Sequence, residues 1–156
     1  MKRIPMRIRM IMINQDLKAT YDFLLSPKRI ADEIWRKDIR RRELRACLLP
    51  IGIAYNKDKV QTTQEDQMAE VIAEIADLDQ QIEMLQRQRA RKIQQIGRIL
   101  DQLEDDREKA ILEAYYTGQM SMADIAEHMH YSLQHTYALR QRGAENIRKI
   151  RMPYML

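Results

Sequence analysis

The longest regular pattern in the chain runs from residue 68 to residue 103. Mostly apolar residues recur there at alternating intervals of three and four positions. Such spacing places side chains on one face of an α-helix and, when it is sustained over several heptads, is typical of a coiled-coil seam. The segment contains no proline, so it predicts one helix of roughly 40 residues. The seam has one charged layer and comprises Met68, Val71, Ile75, Leu78, Ile82, Leu85, Arg89, Lys92, Ile96, Ile99 and Leu103. A seam of this length must be covered by an N-terminal helix folding back, by a second copy of the chain, or by both.

Two shorter amphipathic patterns precede the long helix. The first covers residues 16–25, and Ser26 followed by Pro27 then predicts a new helix start, because serine caps free N–H groups and proline is preformed for a first turn. This second helix is expected to end at Pro50. The turn-forming residues that follow predict a loop near residues 50–63, so we expect residues 16–104 to form a helical hairpin or coiled-coil region.

The first residues of the chain follow a different period. Isoleucine and methionine alternate there with arginine, and a two-residue period predicts an extended basic arm over residues 1–15, outside the folded region. The alternative is that translation starts at Met10 or Met12 and that the arm matters little. The sequence leaves both readings open.

Residues 105–151 predict three more helices, of which the last two form a helix-turn-helix. Ile125 and Met129 point inward from the first of the pair, and Ala126 is the small residue where the two helices touch. Ser132 can cap the second helix, while His130 occupies a turn position where glycine is usual. Histidine can adopt a left-handed conformation there at some cost. The inner face of the second helix is predicted to comprise Thr136, Leu139, Gly143 and Ile147.

The opposite face of that helix carries side chains suited to DNA. Glutamine can pair with an adenine edge, alanine and leucine can contact a thymine methyl group, and arginine or lysine can bind phosphates. The predicted base-contacting residues are Ser132, Leu133, Gln134, Tyr137, Ala138 and Gln141. The predicted phosphate-contacting residues are Arg140, Arg142, Arg148 and Lys149.

Charge and composition support this picture. Residues 132–156 contain five Lys and Arg against one Glu, whereas residues 105–131 contain two basic and six acidic residues. Positive charge is thus concentrated where a DNA-facing helix needs it. The low aromatic content of 6% and the scarcity of glycine and proline favour long helices over strands. We therefore expect an all-α protein.

Other classes of function find no support in the sequence. The lone Cys47 cannot form an intrachain disulfide, and no apolar run approaches the length of a membrane span, so a soluble cytoplasmic protein is expected. The three histidines lack metal-ligand spacing, and no phosphate loop or nucleophile-base pair occurs. We expect no metal, no cofactor, no small-molecule substrate and no enzymatic activity.

The segment "LEAYYTGQMSMADIAEHMHYSLQHTYALRQRGAENI" resembles region 4 of bacterial sigma factors, whose helix-turn-helix reads promoter DNA and contacts RNA polymerase. With the upstream "DKVQTT" and "DQMAEVIAEIADLDQQI", it resembles a family of small phage and prophage transcriptional regulators of Gram-positive bacteria that are related to late-gene activators. The resemblance covers roughly residues 28–150 and implies a basic N-terminal helix, a long central helix and a sigma-like end. It supports a sequence-specific regulator of phage or prophage genes.

These observations define one leading hypothesis and two alternatives. The leading hypothesis is a homodimeric regulator that binds double-stranded DNA, with the helix at residues 132–149 in the major groove. The first alternative is an interaction protein that binds RNA polymerase without reading bases, because the outer face of that helix is weakly charged. The second is a small terminase subunit involved in DNA packaging, which also joins a helix-turn-helix to an oligomerising coiled coil.

Overall fold

The computed structural model describes residues 6–53 and 61–151, and these residues contain helices but no strand. The expectation of an all-α fold with a long central helix packed against other helices is therefore confirmed. Residues 1–5 of the predicted arm and residues 54–60 of the predicted loop lie outside the described residues. The elements are α1 (Met6–Ile53), α2 (Gln61–Leu100), α3 (Asp106–Leu112), a π-helix (Glu113–Thr117), α4 (Met122–Met129) and α5 (Leu133–Arg151).

Helix α1 differs from its prediction, because it is continuous from Met6 to Ile53. Residues 6–15 are therefore helical and not extended, no helix begins at Ser26, and the helix passes beyond Pro50. At Pro27 a side-chain hydrogen bond explains how the helix continues past the proline. Proline has no N–H for the carbonyl of Phe23 four residues earlier, and the Ser26 hydroxyl donates a hydrogen bond to that carbonyl at 2.7 Å instead.

The chain divides into two compact units, and α1 and α2 each contribute a part to both. The first, the terminal unit, contains the described residues up to Lys28 and those from Ala90 onward. The second, the hairpin unit, contains Arg29–Arg89. The sequence-based division at residue 105 therefore does not coincide with the boundaries of these units.

Two apolar clusters form the core of the terminal unit. The larger joins α1, α2, α3, the π-helix and α5 around Leu24, Ile96, Leu100, Leu103, Leu112, Tyr116, Ala144 and Ile147. The smaller joins α3, α4 and α5 through Ile111, Met122, Ile125 and Leu139. Tyr116 is 1% exposed within the larger cluster, and this burial raises the pKa of its phenol to about 12.

In the hairpin unit, α1 and α2 run antiparallel. The Lys37 ammonium donates to Gln81 at 2.7 Å, and farther along α1 the Arg40 Nε donates to Glu74 at 2.8 Å, so the partners on α2 move backward as α1 advances. Arg41 lies 2.6 Å from Asp79, and this hydrogen bond is the main cause that lowers the pKa of Asp79. The buried apolar residues between the two helices include Ile30, Ile75, Leu78 and Ile82.

The eleven predicted seam residues are all buried or half-buried. In the hairpin unit the seam faces α1 of the same chain, and in the terminal unit Ile96 and Leu103 pack with Leu24. Leu103 follows the end of α2 and is nevertheless buried, while Leu100, which the seam prediction omitted, is 1% exposed. Those positions do not require a second copy to cover them, and the homodimer remains a prediction.

Candidate nucleic-acid interface

Helices α4 and α5 are joined by a tight turn whose conformation is set by local hydrogen bonds. Ser121 caps α4, because its hydroxyl oxygen accepts from the Asp124 N–H at 3.1 Å. His130 ends α4 with φ 57° and ψ 39°, so the expected left-handed conformation of this non-glycine residue is confirmed. The Ser132 hydroxyl oxygen then accepts from the His135 N–H at 3.2 Å, which confirms the predicted cap of α5.

The four residues predicted for the inner face of α5 are all buried, and they fix the rotation of the helix. Thr136 also satisfies its hydroxyl group, which donates to the Ser132 carbonyl at 3.0 Å. Gly143 lies at the crossing with α3, where a β-carbon would be 2.7 Å from the Leu112 Cδ1 atom. Because Gly143 lies on the same buried face as Thr136 and Leu139, the opposite side of the first turns of α5 faces solvent.

The outward side of the first turns of α5 carries the residues that were predicted to contact bases. Leu133 is 48% exposed and Tyr137 is 45% exposed, both high values for large apolar or aromatic side chains. The remaining predicted base-contacting residues are also exposed, namely Ser132, Gln134, Ala138 and Gln141. The structure therefore brings the predicted base-contacting side chains together on one accessible face.

In the second half of α5 the inner face packs against α1. Ala144 and Ile147 belong to the cluster that contains Leu24. The Arg151 guanidinium lies 4.2 Å from the centroid of the Phe23 ring, also on α1. The predicted base-contacting residues, which define the reading face, all precede this part of the helix, within residues 132–141.

Two of the predicted phosphate-contacting residues, Arg148 and Arg142, interact closely with the rest of the terminal unit. Arg148 is 9% exposed and is thus inside the terminal unit. Arg142 binds the carboxylate of Glu108 through Nε and that of Asp105 through Nη2, the latter at 2.7 Å. The hydrogen bond to Glu108 is also the main cause that raises the pKa of Arg142. Arg148 is therefore little accessible to a phosphate and Arg142 already has carboxylate partners, whereas Lys149 is exposed. The assignment of all three to phosphates stays a prediction.

Glu108 is the residue that sequence reasoning missed in this network. It is 1% exposed on α3, and its second carboxylate oxygen accepts from the Asn146 side-chain amide at 2.9 Å. Together with Arg142, this bond ties α5 to α3 from two successive turns of α5. No signal in the sequence distinguishes Glu108 from the solvent-facing acids around it, because its partners lie far along the chain.

Arg140 has a third kind of environment, which combines partial burial with aromatic contacts. Its guanidinium carbon lies 4.9 Å from the centroid of the Tyr115 ring and 5.1 Å from that of Tyr137. Its Nε is buried without a hydrogen-bond partner. No carboxylate among the described residues pairs with it, so its charge is available beside the reading face.

The electrostatics of the surface are uneven. Arg140 is the only Lys or Arg among residues 132–141, and no acid occurs there. On α4, by contrast, Asp124 and Glu127 are exposed and negative. Phosphate groups would therefore be favoured beside α5 and disfavoured along the outer side of α4.

The arginines of α1 in residues 40–45 differ from Arg140, because carboxylates neutralise them. Arg40, Arg41, Arg42 and Arg45 all pair with carboxylates of Asp38, Glu74 or Asp79 in the hairpin unit. These arginines are therefore neutralised by carboxylates of the hairpin unit.

Within residues 6–53 and 61–151, no helix is long and apolar enough to span a lipid bilayer. The same residues contain no cluster of three or more histidine, cysteine or acidic side chains that could hold a metal ion.

Comparison with known proteins gave one match. Neither the curated proteins nor the solved structures contain a sequence that matches this chain. A family model described as "Protein of unknown function (DUF1492)" matches residues 52–148, which include α2, α3, α4 and most of α5. Because this match covers more than half of the chain, the protein belongs to the DUF1492 family.

Proposed function

We propose that this protein is a sequence-specific DNA-binding regulator of transcription that acts in the cytoplasm. It reads the major groove with residues 132–141, the first turns of α5, and not with the whole segment 132–149 that the sequence suggested. The observation that carries this proposal is the exposed face of α5, on which amide, phenol and apolar side chains project beyond a capped turn while the inner face is buried. In DNA-binding helix-turn-helix proteins, the N-terminal residues of the second helix contact base edges.

The side chains on this face supply the chemistry of base recognition. Gln134 and Gln141 each offer a donor and an acceptor, the pair that matches N6 and N7 of adenine. Ala138 and Leu133 offer apolar contacts for a thymine methyl group. The resemblance to sigma region 4 and to phage and prophage regulators supports the same surface and assigns its targets to phage or prophage promoters.

The test is selection of bound duplexes from a random pool, followed by fluorescence anisotropy on the selected sequence. Gln134→Ala and Gln141→Ala should each weaken binding by about 1–3 kcal/mol and relax the preference at one base pair, because each removes one bidentate contact. Gln95→Ala is the matched control, since Gln95 is exposed on α2 away from this face and its loss should leave affinity unchanged. Failure to select any sequence, or equal effects of all three substitutions, would count against the proposal.

A second candidate function is binding to RNA polymerase. Leu133 and Tyr137 are large and exposed, and the neighbouring Asp124 and Glu127 disfavour phosphates, a combination suited to a protein partner. Capture of purified polymerase that is lost in Leu133→Ser, by a protein that selects no duplex, would favour this candidate over DNA reading.

A further inference from the structure

Two cations from distant parts of the chain share one aromatic ring in the terminal unit. The Lys28 ammonium, on α1, lies 3.5 Å from the centroid of the Tyr115 ring. The Arg140 guanidinium carbon, on α5, lies 4.9 Å from the same centroid. The two charged groups are therefore at most about 8.4 Å apart, the sum of these distances.

Neither cation is neutralised within the described part of the chain. The ion pairs there take up other cations, such as Arg107 and Arg142, but none involves Lys28 or Arg140. The buried Nε of Arg140 also lacks an acceptor. An aromatic ring attracts each cation through its quadrupole but does not remove the repulsion between them, so the pair is left with an unmatched positive charge.

A phosphate group satisfies this arrangement better than other ligands. Its oxygens accept charge-assisted hydrogen bonds of ~2.8 Å from both lysine and arginine, and its negative charge offsets both cations at once. The Tyr115 ring holds both cations near one place, because each lies within 5 Å of its centroid. Arg140 also belongs to the reading face of α5, so an anion held here lies beside any duplex in contact with that face.

We propose that Lys28, Tyr115 and Arg140 form a phosphate clamp that holds the backbone of the DNA read by α5. The clamp extends the DNA-binding surface to α1, which lies almost entirely outside the segment matched by the family model. It rests on the proposed DNA-binding function, and it assigns to Lys28 a role in positioning the duplex and none in reading its sequence.

The experiment measures DNA affinity as a function of salt for the full-length protein and three variants. Lys28→Gln removes the charge, Lys28→Arg keeps it, and Lys18→Gln is the matched control. Lys18 is exposed on the same helix, and ten residues separate it from Lys28 by about 15 Å along the axis. Thermal unfolding followed by circular dichroism establishes that each variant is folded.

The expected result is that Lys28→Gln weakens binding roughly tenfold at low salt, on selected and on unrelated duplexes alike. The slope of log affinity against log salt should fall in magnitude by about 0.9, because one counterion-releasing contact is lost. Lys28→Arg should retain the affinity and slope of the parent, as should Lys18→Gln. A purely structural role of Lys28 would alter thermal stability without changing this slope.

The possible failures are distinguishable. Salt-dependent binding by the parent protein, with an unchanged slope in Lys28→Gln, would overturn the clamp and leave the proposed function intact. A slope change of equal size in Lys18→Gln would also overturn the clamp, because the effect would then come from general charge. The absence of any DNA binding by the parent would overturn both the clamp and the proposed function.

Discussion

Gly143 occupies the point at which α5 crosses α3, and its lack of a side chain permits their close approach. A β-carbon there would lie 2.7 Å from the Leu112 Cδ1 atom and 3.2 Å from the Glu108 β-carbon. Leu112 and Glu108 are both fully buried, so neither has room to withdraw. Gly97, also inside a helix, has no atom within 4 Å of the corresponding position. The two glycines therefore form a natural experimental pair.

We predict opposite effects for the same substitution at these two positions. Gly143→Ala should lower the free energy of unfolding by about 1–3 kcal/mol, because overpacking exceeds the gain in helix propensity. Gly97→Ala should raise it by about 0.5–1 kcal/mol, since alanine restricts the unfolded chain and no clash opposes it. Urea denaturation followed by circular dichroism measures both. An equal stabilisation by the two substitutions would show that the α3–α5 crossing is looser than described.

The arginines of α5 show what a sequence can and cannot predict about single residues. Arg140, Arg142 and Arg148 have the same chemistry, and the sequence assigned all three to phosphates. Their environments differ because their surroundings come from remote parts of the chain: Glu108 for Arg142, and Tyr115 for Arg140. Periodicity predicts which side of a helix is buried, but it does not predict which residues from other helices pack against that side.

At the scale of elements, predictions succeeded where the signal was local and periodic. Helix α2, the cap of α5 and the turn at His130 all follow from spacing and capping residues. The π-helix at Glu113–Thr117 was not predicted, since an extra residue within a helical turn leaves no distinct pattern. The prediction for α1 was wrong because a Ser-Pro pair occurs in two settings. It can start a helix, and it can also lie inside a helix, where the serine hydroxyl donates the hydrogen bond that proline cannot.

That second use can be tested by a double-mutant cycle at Ser26 and Pro27. Ser26→Ala should lower the free energy of unfolding by about 1 kcal/mol in the parent, because the Phe23 carbonyl loses the donor that replaces the missing proline N–H. In a Pro27→Ala background the restored N–H can bind that carbonyl, so Ser26→Ala should then have almost no effect. Chemical denaturation of the four proteins gives the coupling. Equal losses in both backgrounds would mean that the hydroxyl group does not compensate for proline.

At the scale of the whole molecule, the sequence placed a domain boundary near residue 105, where Asp105 caps α3. The cap marks the start of a helix, and the boundaries of the two compact units lie elsewhere in the chain. Leu24 packs with Leu112, Ala144 and Ile147, and such contacts between distant residues leave no trace in local periodicity. The terminal unit therefore includes part of α1 and the end of α2, which the sequence assigned to a separate hairpin.

This assignment predicts that a substitution in α1 will loosen the helices that carry the reading face. Leu24 is fully buried, so Leu24→Ala should lower the free energy of unfolding by about 2–5 kcal/mol. Under native conditions it should accelerate amide hydrogen exchange in α3, the π-helix and α5. Leu78→Ala is the matched control, because Leu78 is 6% exposed in the hairpin unit, and its effect on exchange should concentrate in residues 29–53 and 61–89. If Leu24→Ala instead left the exchange of α5 unchanged, the helices after residue 105 would fold independently of α1, and the boundary suggested by the sequence would be correct.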